Sequence, residues 1–214
     1  MSEEVGLREL KKQRTRQAIS EAAIRMFLEN GFDDVSVVEV AAAAEVSKRT
    51  LFKYFPSKED LVVHRFADHK DELARYVRDR EPGEAPLDAL ERGWLDALRR
   101  HDEATGLCDR PGVKAFFRLV LDTAGLTARL KQHYTHAERL LADALEETGY
   151  PRRTARLAAC QITAVQGLLV SDTAQEVASG RSAEEVHPEA ATALREALAL
   201  LRDGLRPPTE IAAT

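Results

Sequence analysis

The sequence predicts an all-α fold in which a small three-helix head is followed by a larger helical domain. Apolar residues recur at helical spacing along nearly all of the 214 residues, and no stretch shows the strict alternation of a half-buried strand. Proline and glycine stand mainly between the periodic stretches, where helices end. An apolar content of 44% is sufficient for a folded core in a chain of this length.

The first predicted helix covers about residues 15–30 and carries apolar side chains along one face. Gly31 follows it directly, and a glycine at this place commonly adopts the left-handed conformation that ends a helix. Phe32 then stands where it can fold back onto the last turn.

Two short helices joined by a tight turn are predicted within residues 36–55. Ser36 and Glu39 have the spacing of a capping box at the start of the first helix. Its β-branched beginning would also suit a strand, but the cap and the four alanines that follow favour a helix. Ser47 caps the second helix, which ends before Pro56 because a proline disfavours helical backbone in the preceding residue. This arrangement has the geometry of a helix-turn-helix.

The remaining chain predicts a fourth, long helix that begins at the Ser57–Asp60 cap and reaches about Arg80. Two prolines and a glycine within residues 81–86 then break the chain. Five further helices, which bring the total to about nine, are predicted at about residues 87–101, 112–124, 127–148, 152–179 and 188–203.

Positive charge is concentrated near the N-terminus of a chain whose net charge is −5. Residues 8–58 hold ten Lys and Arg against seven Asp and Glu, whereas residues 59–214 hold 21 against 27. Several of these cations stand at helix starts, where the helix dipole makes each one cost about 0.3–1 kcal/mol. An external phosphate would offset that cost, although solvated charges on helix ends are the alternative. The two groups are Arg8, Lys11, Lys12, Arg14 and Arg16, and Lys48, Arg49, Lys53 and Lys58.

The cysteines and histidines give no metal or disulfide pattern. Cys108 and Cys160 lie far apart without metal-ligand spacing, so we expect neither a disulfide framework nor a zinc site. Cys108 would also suit a redox sensor, but we favour an ordinary thiol. His133 and His136 have the spacing of half a metal site, and no third ligand accompanies them.

Catalysis and membrane insertion are not expected either. The sequence has no nucleophile–base pair, metal triad or glycine-rich phosphate loop, so we expect no enzyme activity and no cofactor. No segment approaches the roughly 18 consecutive apolar residues of a membrane span, and the N-terminus has no apolar signal region. We therefore expect a cytoplasmic protein that does not enter the membrane.

Residues 13–73 resemble the DNA-binding domain of the TetR family of transcriptional regulators. The resemblance lies in Ala22-Ala23 to Phe27, in Gly31-Phe32, in Ser36 to Ala41, and above all in the run Val46-Ser47-Lys48-Arg49-Thr50-Leu51-Phe52-Lys53-Tyr54-Phe55-Pro56-Ser57-Lys58-Glu59-Asp60-Leu61. One departure is Glu45, because the family usually has glycine in this turn. We expect a slightly altered turn and an intact motif.

The resemblance implies an N-terminal DNA-binding domain of residues 1–60 and a ligand-binding and dimerisation domain of residues 61–206. For the tail of residues 207–214 we expect disorder. The second short helix becomes the recognition helix, in which Lys48, Arg49 and Thr50 reach base edges. The residues expected to hold phosphates are Arg14, Arg16, Ser36, Lys53, Tyr54 and Lys58.

The last two helices are expected to form a dimer interface, because in the family these helices of each subunit pair into a four-helix bundle. The run from Leu157 to Val170 is too apolar all round for a surface helix and should be buried. The helix at residues 188–203 carries an apolar stripe. Packing within one chain is the alternative.

A small-molecule pocket is expected in the larger domain, lined by aromatic side chains and a few polar groups. Each candidate would also suit a core position. The candidates are Trp94, Phe117, Arg118, His133, Tyr134, Gln161, Thr163 and Gln166.

Together these features predict a homodimeric repressor that binds a palindromic DNA operator and is released by an unidentified small-molecule effector. A transcriptional activator and a regulator that responds to a protein partner are alternatives, since the sequence does not separate them. A helical small-molecule carrier or enzyme with an incidental helix-turn-helix is a further alternative.

Overall fold

The computed structural model describes residues 2–203, apart from the side chains of residues 2–9, Ala67, Asp68, His133 and Asp203. Over this range the chain is helical and contains no strand, which confirms the predicted all-α class. The expected disorder of residues 207–214 concerns a tail outside the described residues.

Ten α-helices and two short 3-10 segments make up residues 2–203. The α-helices are α1 Ser2–Asn30, α2 Val37–Ala43, α3 Lys48–Tyr54, α4 Asp60–Val63, α5 Glu72–Arg78, α6 Pro86–Arg99, α7 Pro111–Asp122, α8 Ala124–Glu147, α9 Arg152–Ser179 and α10 Ala183–Asp203. The 3-10 segments are His64–His69 and Glu103–Thr105.

The chain forms two compact units, each assembled from separate stretches of sequence. The first contains the chain up to Lys70 together with Arg110–Thr135, and the second contains Asp71–Asp109 with the chain from His136 onwards. The two units reflect how the chain packs and not what each part does, so the functional division at residue 60 stays a prediction.

The first unit is built around α1, which packs against α2, α4 and α7. Its core is apolar, and burying each large side chain contributes about 1.5–3 kcal/mol. The side chains of this core with no exposed surface or nearly none are Ile19, Ala23, Phe27, Val40, Leu51, Phe55, Leu61, Val62 and Leu126.

The sequence signals predicted for the end of α1 and for the start of α2 are confirmed. Gly31 has a φ of 92°, and the Phe27 and Phe32 rings lie 5.0 Å apart, so the chain folds back onto α1 as expected. At the start of α2 the Ser36 N–H donates to Glu39 Oε2 at 2.7 Å, and the Glu39 N–H donates to Ser36 Oγ at 3.3 Å. The capping box is therefore complete.

Two helix starts were predicted too late. α1 begins at Ser2 instead of about residue 15. The charged stretch that precedes residue 15 consists mainly of good helix formers and contains no proline, so it continues the helix towards the N-terminus. α10 begins at Ala183 instead of residue 188, and Pro188 lies inside it. The earlier start is capped: the Ser182 N–H donates to Glu185 Oε2 at 2.8 Å, and the Glu185 N–H donates back to Ser182 Oγ at 3.3 Å.

The predicted long fourth helix is wrong. The chain forms the short helix α4, a 3-10 segment and then α5. β-branched and aromatic residues, which have low helix propensity, occupy the α4 end and the 3-10 segment. The His64 ring packs edge-on against Phe55 with centroids 5.5 Å apart, so tertiary packing shapes the backbone here.

In the second unit, α6 packs against α5 and α10, and α10 also packs against α9. The prediction that the apolar run of α9 is buried all round is wrong for the single chain. Leu157 is 58% exposed and Leu168 is 61% exposed, whereas Ile162 and Val170 on the opposite side are buried. One face of α9 thus fills the core and the other carries leucines at the surface.

Gly93 on α6 marks a close approach to α5. A β-carbon at this position would lie 2.5–2.8 Å from three ring atoms of Tyr76. The ring has little freedom to move, because Tyr76 Oη donates a hydrogen bond to Glu72 Oε1 at 3.0 Å. Burial, together with the Glu72 charge, also raises the pKa of the Tyr76 phenol, so this group stays protonated and can donate.

Gly93→Ala is therefore expected to destabilise the protein by about 1–3 kcal/mol, because the added methyl group forces α5 and α6 apart. Gly112→Ala is the matched control, since a β-carbon there meets nothing within 4 Å. It should leave stability unchanged or raise it by up to about 1 kcal/mol. Urea denaturation followed by circular dichroism measures both. Equal effects of the two variants would contradict the close packing.

Candidate nucleic-acid interface

The helix α3 is held by its two ends and by one buried face. At its start the Thr50 N–H donates to Ser47 Oγ at 3.0 Å, as the sequence predicts. At its end Phe55 is extended, with a φ of −134°, so the helix stops before Pro56. Leu51 and Phe55 have no exposed surface. The remaining faces of the helix are consequently fixed in direction.

The turn between α2 and α3 is kept despite the glutamate. Glu45 adopts a left-handed φ of 53°. Its N–H donates to Ala42 O at 3.0 Å, and the Val46 N–H donates to Ala41 O at 2.9 Å, which is the Schellman pattern of a helix end. The hydrogen bonds of the turn are complete, and the strain falls on the backbone of Glu45.

The three predicted base-reading residues lie in different surroundings. Lys48 and Arg49 are exposed on the first turn of α3. Thr50 is half-buried, and its hydroxyl lies 2.8 Å from Ser47 Oγ, to which it is hydrogen-bonded. Lys48 and Arg49 are therefore better placed than Thr50 to reach a ligand, and the roles of all three stay predictions.

Phe52 is an exposed residue of α3 that the sequence reasoning did not assign. Its ring is 39% exposed, and the Lys48 ammonium lies 6.0 Å from the ring centroid. Lys48 and Phe52 are four residues apart, so they share one helix face with Arg49 and Lys53. That spacing was present in the sequence and predicts the placement. We call Lys48, Arg49, Phe52 and Lys53 the exposed α3 face.

Two of the predicted phosphate-binding cations lie over aromatic rings of the head. The Lys58 ammonium is 4.5 Å from the centroid of Phe32 and 5.5 Å from that of Phe27. The Arg16 guanidinium carbon is 5.4 Å from the centroid of Phe55. Such cation–π contacts stabilise by about 0.5–2 kcal/mol, so they favour these positions of the two cations.

The other predicted phosphate ligands are spread over α1, α2 and α3. Arg14 and Lys53 are exposed, and Tyr54 is half-buried. Ser36 is exposed, and its Oγ accepts the Glu39 N–H. The hydrogen bonds from Ser36 also hold the pKa of the Glu39 carboxyl below its ordinary value, so this acid is ionised beside the cations.

The predicted pocket residues divide between the two compact units. In the second unit Trp94 is buried and Gln166 is half-buried, but Gln161 is exposed. The buried Thr163 hydroxyl donates to Ala159 O of its own helix at 2.8 Å. The Thr163 hydroxyl is thus paired within α9, and the pocket roles of Gln161 and Thr163 stay predictions.

In the first unit the predicted pocket residues lie on α7 and α8. Phe117 is buried against Phe116, with ring centroids 6.0 Å apart, and burial raises the pKa of Tyr134 to about 12. Arg118 lies on the rim of an open cleft of about 440 Å³. The side chain of His133 lies outside the described residues. The cleft is lined by Phe27, Leu28, Pro111, Lys114, Ala115, Arg118 and Leu119.

The described part of the chain shows neither a metal-ligand cluster nor a helix suited to crossing a membrane. Within it, no group of three or more His, Cys, Asp or Glu side chains is arranged to hold a metal ion. None of the described helices is both long enough and apolar enough to span a bilayer.

Residues 19–64 match the family model described as bacterial regulatory proteins, tetR family. The chain is 32% identical over 139 residues to the HTH-type transcriptional regulator TcmR of Streptomyces glaucescens, covering 64% of this chain and 61% of that protein. It is 28% identical over 133 residues to the HTH-type transcriptional repressor KstR of Rhodococcus jostii, covering 62% and 60% respectively. The chain thus spans about six tenths of the length of these two relatives.

Solved structures resemble the whole fold. A TetR transcriptional regulator from Rhodococcus sp. RHA1 matches 91% of this chain and 99% of its own, with a TM-score of 0.52 and 27% identity. NalD, the secondary repressor of the MexAB-OprM multidrug efflux pump in Pseudomonas aeruginosa, has a TM-score of 0.56 at 18% identity and matches 86% and 97% of the two chains. The latter likeness concerns the fold alone. Both agree with the predicted helical plan.

Glu45→Gly is expected to stabilise the protein by about 1 kcal/mol, because glycine adopts the left-handed conformation without a β-carbon clash. This corresponds to a rise in Tm of about 2–4 °C for a chain of this size. Glu45→Ala is the control: it removes the same charge but keeps the β-carbon, so it should give no comparable gain. Differential scanning calorimetry checks both, and a lower Tm for the glycine variant would contradict the assigned backbone strain.

Proposed function

We propose that this chain, which belongs to the TetR family of bacterial regulatory proteins, represses transcription by binding a palindromic DNA operator as a homodimer and is released by a small-molecule effector. The exposed α3 face is the observation that carries this proposal. Its cations and its aromatic ring point away from a core that locks Leu51 and Phe55. An α-helix held in this way fits the major groove of DNA.

The exposed α3 face supplies the chemistry for reading bases. Lys48 and Arg49 are donors that suit the O6 and N7 acceptors of guanine. The exposed edge of Phe52 suits the methyl group of thymine, which is the apolar feature of the major groove. Thr50 would contribute from its half-buried position next to Ser47. We therefore expect an operator in which guanine and thymine contribute strongly to specificity.

Phosphate contacts would set the register of α3 on the duplex. Lys53 and Tyr54 stand at the end of α3, Ser36 caps α2, and Lys58 follows the recognition helix. Lys58 is held over Phe32 and is thereby restricted before DNA arrives, which lowers the entropy lost on binding. Arg14 and Arg16 on α1 would add a further contact to the backbone.

Dimerisation through α9 and α10 explains why large apolar side chains remain exposed on the last two helices. Leu157 and Leu168 on α9 are 58% and 61% exposed, and Leu200 on α10 is 57% exposed. Apolar surface gathered on two helices that pack together is typical of an interface, so we expect these leucines to be buried against another copy. A two-fold axis between the copies would place the two α3 helices in successive major grooves, about 34–36 Å apart.

Release by an effector requires a molecule with a higher affinity for the protein conformation that does not bind DNA than for the conformation that does. The relative KstR is named a transcriptional repressor, which favours repression here over activation. The residues expected in an effector pocket stay candidates: Trp94, Gln161, Thr163 and Gln166 in the second compact unit, and Phe117, Arg118, His133 and Tyr134 in the first. With chromosomal DNA as its partner, the protein would act in the cytoplasm.

Replacing single cations of the exposed α3 face separates base reading from phosphate binding. Lys48→Ala and Arg49→Ala should each weaken operator binding by about 1–3 kcal/mol and lower the preference over random DNA. Lys53→Ala removes the same charge from the same helix; it should weaken both DNAs alike and reduce the salt slope by about 1. Fluorescence anisotropy with selected genomic fragments at several salt concentrations measures these changes. A wild-type protein that prefers no sequence would contradict the proposal.

Placing a charge on the exposed face of α9 should prevent dimerisation. Leu157→Glu combined with Leu168→Glu is expected to give a folded monomer, since an unpaired charge in an apolar interface is costly. Leu10→Glu, at a 44% exposed leucine of α1, is the control and should leave the dimer intact. Sedimentation velocity gives the masses. A dimeric double variant would place the interface elsewhere.

A further inference from the structure

Asp60, at the start of α4, is hydrogen-bonded from two sides. On one side Ser57 donates to its Oδ2 through the backbone N–H at 3.1 Å and through the hydroxyl at 3.0 Å. On the other side Arg129 of α8 donates from Nε to Oδ1 at 2.7 Å and from Nη2 to Oδ2 at 2.9 Å. All three residues belong to the first compact unit.

The contact between Arg129 and Asp60 is a two-pronged fork with a defined direction. Parallel N–H donors to both carboxylate oxygens fix the relative orientation of the two groups as well as their distance. The Asp60 side chain is only 18% exposed. Arg129 is itself held from behind, because its Nη1 donates to Gln132 Oε1 at 2.6 Å. The Asp60 hydrogen bonds also raise the pKa of the Arg129 guanidinium further, so its charge is permanent.

The chain segment held by the Arg129–Asp60 fork is the turn that connects α3 to α4. Pro56 and Ser57 follow the recognition helix directly, and Lys58 comes next, with its ammonium over Phe32. One turn further on, the buried Ser20 hydroxyl of α1 donates to Leu61 O at 2.7 Å. The start of α4 is therefore fastened to α1 by Ser20 and to α8 by Arg129.

We propose that Arg129 is a positioning residue for DNA binding: its fork on Asp60 holds the turn of residues 56–58, and with it the end of α3 and Lys58, in the arrangement that fits the duplex. This inference rests on the proposed function, and it adds to it a residue of α8 that does not touch DNA. Without Arg129 the Asp60 carboxylate keeps the hydrogen bonds from Ser57 but loses the two that orient it towards α8.

The proposed positioning role can be told apart from that of an ion pair that only stabilises the fold. Partly exposed ion pairs contribute little to global stability, so removing Arg129 should leave the fold intact. The loss should instead appear in operator affinity, because the turn then samples arrangements that bind DNA poorly. Lysine cannot replace the arginine fully, since an ammonium lacks the fork of parallel donors.

Operator affinity of Arg129→Gln, measured well below Tm on a fragment selected with the wild type, tests the proposal. We expect binding about tenfold weaker than wild type, with Arg129→Lys between the two. Lys131→Gln removes one exposed charge from the same helix and should stay within about twofold of wild type. Asp60→Asn combined with Arg129→Gln should bind no more weakly than the weaker-binding of the two single variants, because both changes break the Arg129–Asp60 contact and only Asp60→Asn also alters the contact with Ser57.

The inference is overturned if Arg129→Gln binds the operator as tightly as Lys131→Gln does. It is overturned as well if the double variant loses as much binding free energy as Arg129→Gln and Asp60→Asn lose together. It is also overturned if Arg129→Lys lowers Tm as much as Arg129→Gln while operator affinity stays at the wild-type value, since the role is then structural. A wild-type protein that selects no fragment would instead refute the proposed function itself. The order of the measurements therefore separates the two failures.

Discussion

The position of α3 depends on the burial of Leu51 and Phe55, because a helix of seven residues is not stable by itself in water. Both side chains are fully enclosed in the core of the head, where Phe27 of α1 is also buried. Cutting either side chain to alanine would remove about 2–5 kcal/mol of stability, as at other large core positions. The direction of Lys48, Arg49, Phe52 and Lys53 follows from this burial, so the same packing that stabilises the head presents its interface.

Around that core, several charged residues occupy positions that cost stability. Glu45 keeps the turn at the cost of a left-handed backbone, and Lys48 and Arg49 occupy the start of α3, where the helix dipole favours anions. Arg14 and Arg16, expected near a helix start, lie inside α1 instead. Aromatic rings offset part of this: Phe32 lies under Lys58, and Phe55 lies under Arg16. Arg129 then ties the chain segment after α3 to α8 through Asp60. Each of these contacts orders a cation or a turn in the free protein.

How far the sequence predicts this structure depends on how local the determining interaction is. The Ser36–Glu39 box, the Ser47 cap and the Gly31 turn involve neighbours in the chain, and all three are confirmed. At the break after α4, His64 packs against Phe55, a tertiary contact that the periodicity of the segment does not contain. Exposure of Leu157 and Leu168 depends on what α9 packs against, and the Arg129–Asp60 fork joins residues that the sequence separates widely.

Footprinting of guanine N7 with dimethyl sulfate on a selected genomic fragment tests the central claim most directly, because N7 lies in the major groove. If two copies of the exposed α3 face read DNA, protection should appear as two patches centred about 10–10.5 base pairs apart on one face of the duplex. Unprotected guanines in a complex that forms stably, or protection in one patch only, would contradict the account of a dimer that reads bases with α3.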